Sequence, residues 1–166
     1  MKPIADFLAY ACAMGVIATA VMDLWAMAQK RLFGIPSLDY ALVGRWLGHI
    51  PKGQFTHAPI GKASPVRGEA LIGWSTHYGI GVIFAAVFAF ITGANWRAAP
   101  TLWPALLFGV ATVIAPYFIL QPAMGAGVAA RRTPAPNTAR LRSLIAHLSF
   151  GVGLYVAGAT IIALSA

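Results

Sequence analysis

The chain of 166 residues is 59% hydrophobic, only 10% charged, and carries a net charge of +8. A water-soluble domain averages about 25% charged residues, so the composition excludes a soluble globular protein and indicates a multi-pass membrane protein. The twelve Lys and Arg residues are parted by apolar stretches and form no continuous stripe, which excludes nucleic acid as the partner. It leaves attraction of juxtamembrane cations to anionic lipid, about 1 kcal/mol each near the surface.

Four apolar stretches predict four membrane-spanning helices in one membrane domain, residues 1–166. The first span is expected over residues 6–32. Lys2, the apolar run and Ala26-Met27-Ala28 imitate a cleaved signal, but the run is too long, Asp23 interrupts it, and Lys30-Arg31 would follow the cut. Gly34 is the expected C-cap, and Pro36 stops the helix. Cys12, the only cysteine, lies in this stretch, excludes an intramolecular disulfide and is expected to be a small packing residue.

The first loop, residues 33–69, contains apolar residues at helical spacing: Leu38, Leu42, Val43, Trp46, Leu47 and Ile50. They predict a short amphipathic helix on the membrane face, with Arg45 and His49 on its other side. From Pro51 to Gly68 recurring Pro and Gly predict irregular loop, with His49 and His57 solvated. The second span is expected over residues 70–92 and the third over 101–123, kinked at Pro116. A short loop, residues 124–138, leads to Asn137-Thr138 as N-cap residues and a fourth span over 139–164.

Basic residues concentrate in the first and third connections: Lys30, Arg31, Arg45, Lys52, Lys62 and Arg67, then Arg131, Arg132, Arg140 and Arg142. The positive-inside rule places both connections in the cytoplasm and both termini outside, so a bacterial chain would sit in the inner membrane with periplasmic ends. Lys30, Arg31, Arg131, Arg132, Arg140 and Arg142 are the expected lipid-facing cytoplasmic cations. Trp96 and Trp103 would then lie at the outer interface, Trp25 and Trp74 toward the inner one.

Spans two and four share a pattern. Gly73-x-x-x-His77-x-x-x-Gly81-Val82 matches Ser143-x-x-x-His147-x-x-x-Gly151-Val152, and Gly15-Val16 with Thr19 has a weaker counterpart in Gly109-Val110 with Thr112. The expectation is two duplicated helical hairpins, a parallel repeat about an axis along the membrane normal.

Asp23 is the most costly residue in the spans, because a carboxylate mid-helix costs about 2.5–3.5 kcal/mol to insert. Ala11, Gly15, Thr19 and Asp23 form one stripe of small and polar residues, the kind that lets helices approach closely. His77, His147 and Gln121 occur at a similar depth, so one polar site of Asp23, His77, Gln121 and His147 is expected in the cytoplasmic third of the bundle, with Met22 and Met124 near it in sequence. Intramembrane ionisable groups mark proton, ion or solute sites, and a histidine beside a carboxylate can relay a proton.

The leading reading is a small transporter-like or channel-like protein: Asp23 carries the charge, His77 and His147 respond to protons or ligate, and Gln121 orients the solute. A second reading is a haem- or metal-binding redox protein, with His77 and His147 as axial ligands beside Gly81 and Gly151, or with Asp23 completing a divalent metal site. A third is a membrane scaffold without ligand. No nucleophile elbow, phosphate loop or dinucleotide fingerprint points to an enzyme. Four helices are thin for a solute path, which favours a homodimer.

Several stretches carry a family resemblance: Ala18-Thr19-Ala20-Val21-Met22-Asp23-Leu24-Trp25, Lys30 to Ser37, Tyr40 to Trp46, His77-Tyr78, Pro116 to Pro122 and Ala146-His147-Leu148. Together they resemble the small bacterial membrane proteins of domain-of-unknown-function family 2938. The resemblance spans nearly the whole chain. It implies a bacterial inner-membrane protein and no activity.

Overall fold

The structure, a computed structural model, describes residues 2–165. Its helices are α1 (Lys2–Phe33), α2 (Tyr40–His49), α3 (Glu69–Ala98), α4 (Leu102–Thr112), α5 (Gln121–Ala123) and α6 (Pro136–Ser165). Four segments are long and apolar enough to cross a membrane: Ile4–Phe33, Glu69–Ala98, Leu102–Ala123 and Pro136–Leu164. The chain is an all-α membrane protein, and the expected spans fall on these four segments.

The helix ends follow local chemistry. Gly34 caps α1 with φ +66°, its N–H donating to Lys30 O at 3.1 Å and that of Ile35 to Gln29 O at 3.3 Å, so that the last carbonyls are satisfied. Inside α3, Gly93 adopts φ 69° and ψ −165°, a break that only glycine tolerates, and helix resumes to Ala98. The second helix therefore continues beyond the expected end at residue 92. Beyond α4, Pro116–Leu120 forms a π-helical turn in which the Gln121 N–H reaches Pro116 O. The expected Pro116 kink is thus a widened turn, with the missing proline donor as its cause. The last span starts at Pro136 rather than at an Asn137-Thr138 cap, since proline suits the first helical position, and Asn137 Oδ1 instead accepts from Arg140.

Two compact units can be distinguished. The first comprises the chain up to Ser37, Tyr78–Thr112, and the chain from Ala146 onward. Its core is formed by Met14, Ala18, Ala85, Phe88, Ala89, Trp96, Ala105, Phe150, Leu154 and Ala157. Large side chains fill the layers between small ones, and small residues set the helix spacing. A Cβ at Gly15 would lie 2.5 Å from Val82 Cα, and one at Gly109 would lie 2.5 Å from His147 O and 2.8 Å from Gly151 Cα. Such backbone-to-backbone approach gives van der Waals contact where lipid supplies no hydrophobic drive between helices. The stripe Ala11, Gly15 and Thr19 is buried as expected, and so are Ala105, Gly109 and Thr112 on α4. Leu8, Ile83, Phe90 and Leu107 point outward.

Two expectations fail in this unit. Trp96 does not sit in an interfacial belt: it is only 6% exposed, donates its indole N–H to Thr101 O at 3.1 Å, and packs on Phe88. The Gly93 break precedes it by less than one turn. Cys12 does not pack in the core but is exposed on the outer face of α1.

The second unit is Leu38–His77 with Val113–Ile145. Here α2 crosses the first turns of α3 at backbone contact. A Cβ on Gly44 would fall on the Glu69 carbonyl, and one on Gly73 on the Tyr40 carbonyl. Asp39 caps α2 by accepting from Ala41 N at 3.0 Å. The stretch after α2 is not featureless loop. It forms two short 3₁₀ turns, Ile50–Lys52 and Ile60–Lys62, buries Ile60, and joins the turn after α5 through His57 N to Ala123 O (2.8 Å) and Ile60 N to Met124 O (3.1 Å).

The packing predicts a contrast between two glycines of the first unit. Gly15→Ala should lower the melting temperature in detergent, for a loss of about 1–3 kcal/mol from overpacking. Gly79, whose added Cβ would meet nothing within 4 Å, should tolerate alanine or gain up to about 1 kcal/mol from helix propensity. Equal melting shifts for the two variants would contradict the packing.

Candidate functional site

Each residue expected in the polar site has its own partner. Asp23, in the C-terminal half of α1, accepts a hydrogen bond from the Tyr78 hydroxyl on α3. A phenol is a good companion for an intramembrane carboxylate: it brings a proton without a second charge to desolvate. His147 Nδ1 lies 2.7 Å from Thr112 Oγ1, and that hydroxyl also donates to Gly109 O at 2.6 Å. A hydroxyl has one proton. With that proton on Gly109 O, His147 donates from Nδ1 to the hydroxyl oxygen.

In the second unit, His77 stacks on Tyr40, with ring centroids 4.0 Å apart and 25° between planes, and Trp74 meets its edge at 5.9 Å. Tyr40 is the first residue of α2, so this imidazole is packed by the docked helix. Gln121 follows the π-helical turn and donates from Nε2 to Ser143 Oγ at 3.1 Å. The widened turn therefore sets the direction of the Gln121 side chain. π-Helical turns are enriched at functional sites in general.

The room for a porphyrin beside Gly81 and Gly151 is filled. Thr19 Oγ1 occupies the place of a Gly81 Cβ, and Ala105 O lies 2.7 Å from that of Gly151. Among the described residues no three His, Cys, Asp or Glu side chains come together as a metal site.

The strongest ion pair links α2 to α3. Arg45 makes two parallel bonds to Glu69, Nε to Oε2 at 2.9 Å and an Nη2 contact to Oε1 at 2.7 Å, and Nη1 reaches Ala63 O at 3.2 Å. Glu69 Oε2 also accepts from Val66 N at 2.9 Å, which caps the start of α3. The bonding to Glu69 pushes the Arg45 guanidinium further above its usual range. Arg45 thus faces protein rather than water.

His49 is likewise buried instead of solvated, 6% exposed, with Nε2 2.9 Å from Ser64 O. The cause is the same in both cases: residues 60–66 fold back over α2 and supply carbonyls. Arg140 also differs from the lipid-facing expectation. It braces the loop before α6, donating to Ala129 O at 2.8 Å, whereas Arg131, Arg132 and Arg142 are exposed.

Sequence reasoning missed Tyr78 and Glu69. Both left a signal. Tyr78 follows His77, itself singled out as a polar residue within a span, and Glu69 is one of only four acidic residues, placed at a helix start amid basic loop.

The fork between Arg45 and Glu69 predicts that Glu69→Gln loosens α2. Amide hydrogen exchange over residues 40–49 should speed up about 10-fold while that of the unit-one core stays slow. Unchanged exchange in α2 would show that the glycine contacts alone hold it.

No curated protein and no solved structure matches the chain significantly. The family described as "Protein of unknown function (DUF2938)" matches it over residues 12–161, a range that includes Asp23, Tyr78, Gln121 and both intramembrane histidines, His77 and His147. The chain belongs to the DUF2938 family.

Proposed function

We propose that this protein is a small transporter-like or channel-like membrane protein that takes up a proton or a cation at Asp23. The observation that carries the reading is the Asp23 carboxylate inside an apolar helix with a Tyr78 hydroxyl donating to it. A carboxylate kept at that depth costs insertion energy, which a purely apolar residue would avoid. His147, whose Nδ1 is tied to Thr112, is a second titratable group in the unit that holds Asp23, and His77 and Gln121 are further polar residues within the spans. The basic first and third connections support a cytoplasmic position for both, and periplasmic termini in a bacterial inner membrane.

A duplicated hairpin is part of the same reading. Gly15 meets Gly81-Val82 in one helix pair, and Gly109 meets Gly151 in the other, the positions that the sequence pattern pairs. A second copy of the chain would widen the polar path, and anionic lipid would meet the exposed Lys30, Arg31, Arg131, Arg132 and Arg142.

Two measurements test this. In liposomes loaded with a pH-sensitive dye, the wild type should dissipate an imposed proton or monovalent-cation gradient, and Asp23→Asn should slow the flux at least about 10-fold with little change in melting temperature. Wild-type vesicles as tight as empty ones, or an Asp23→Asn variant with full flux, would reject the site. For topology, a C-terminal reporter active only in the cytoplasm should stay silent; a bright, correctly inserted fusion would reverse the orientation.

A further inference from the structure

The pair His49 and His57 lies outside the membrane spans, and neither the family nor the polar site above uses it. His49 closes α2 and is almost wholly buried. Its Nε2 sits 2.9 Å from the Ser64 carbonyl, which can only accept, so Nε2 carries the proton and Nδ1 is a bare lone pair. That Nδ1 is buried with no hydrogen-bond partner, and so is Nε2 of His57. Two unpartnered imidazole nitrogens in one small region are unusual, because buried polar atoms are nearly always satisfied.

The ring geometry narrows what can satisfy them. The two ring centroids are 5.1 Å apart, with planes at 67°. A metal at about 2.05 Å from an imidazole nitrogen stands about 3.2 Å from the ring centroid, so two histidines at a tetrahedral angle have centroids about 5.2 Å apart. Linear ligation would need about 6.4 Å, and a right-angled pair about 4.5 Å. The observed separation lies near the tetrahedral value, which is also the spacing of an edge-to-face ring pair, so the two unpartnered nitrogens rather than the spacing carry the argument.

We propose that His49 and His57 bind a late first-row divalent cation such as Zn²⁺, through His49 Nδ1 and His57 Nε2, with solvent in the remaining positions. Neutral imidazole is a ligand of choice for these ions. Glu69 is not available as a third ligand, since both of its oxygens are committed to Arg45 and Val66 N. The ion would staple the C-terminus of α2 to the segment that is itself bonded to Ala123 and Met124. The docking of α2 would then depend on metal.

Cobalt(II) is the probe, because four-coordinate Co²⁺ absorbs visibly and far more strongly than six-coordinate Co²⁺. The full-length protein, purified in mild detergent and treated with chelator, should bind one Co²⁺ per chain with a tetrahedral spectrum, and Zn²⁺ should displace it. His57→Gln, at the more exposed and less structurally committed position, should weaken binding by more than the about 10–100-fold that loss of a second-shell partner costs. Hydrogen exchange over residues 40–49 should slow when Zn²⁺ is added to the wild type and not when it is added to His57→Gln.

Absence of a tetrahedral spectrum in the wild type would overturn the proposal and assign the two nitrogens to a bridging water. Full retention of binding in His57→Gln would also overturn it. So would loss of the spectrum in His77→Gln or His147→Gln with His57 intact, since the ion would then belong to the intramembrane site. None of these outcomes depends on proton or cation flux through Asp23.

Discussion

In hydrocarbon there is no water to satisfy a polar group, so every backbone donor, carbonyl and charge within the spans must find its partner in the protein. Most of the structure follows from that constraint. The helices satisfy their own backbones, and their association rests on close contact rather than on hydrophobic drive. Gly15 against Val82, Gly109 against His147 and Gly151, and Gly153 against Ala18 are among the places where the backbones touch. Larger residues such as Met14, Phe88 and Leu154 fill the spaces that this spacing leaves.

The same constraint explains the pairing of the polar side chains. Asp23 has Tyr78, His147 has Thr112, Gln121 has Ser143, and His77 is covered by Tyr40 and Trp74. These contacts are local to their own helix pairs or to the docked α2. A widened turn at Pro116–Leu120 and a backbone break at Gly93 depart from regular helix, and each places a particular side chain, Gln121 in one case and Trp96 in the other. At the loop end of α3 the logic changes to ordinary electrostatics: a two-pronged bond between Arg45 and Glu69 joins α2 to the start of α3.

Features that depend on one residue's intrinsic behaviour were legible in the sequence. The four spans followed from apolar length, the end of α1 from Gly34 and Pro36, and the buried stripe of α1 from Ala11, Gly15 and Thr19. Features that depend on a distant partner were not. Nothing local to His49 announces that Ser64 will supply a carbonyl, or that residues 60–66 fold over it. Trp96 looked interfacial because aromatic residues near span ends usually are, and the backbone break at Gly93 is invisible to that rule. The porphyrin room expected beside Gly81 and Gly151 was an error of the same kind: a glycine leaves space only if no neighbour takes it, and Thr19 and Ala105 do.

The candidate site was legible as a list and not as a set of bonds. Asp23 was evident from insertion cost alone, whereas its partner Tyr78 was hidden among ordinary aromatic residues. That bond can be read directly by isotope-edited infrared spectroscopy of the labelled Asp side chains in lipid. The account predicts a carboxyl band that disappears in Asp23→Asn and shifts in Tyr78→Phe, with the other labelled carboxyl bands unmoved. An Asp23 band with the same frequency in wild type and Tyr78→Phe would contradict it.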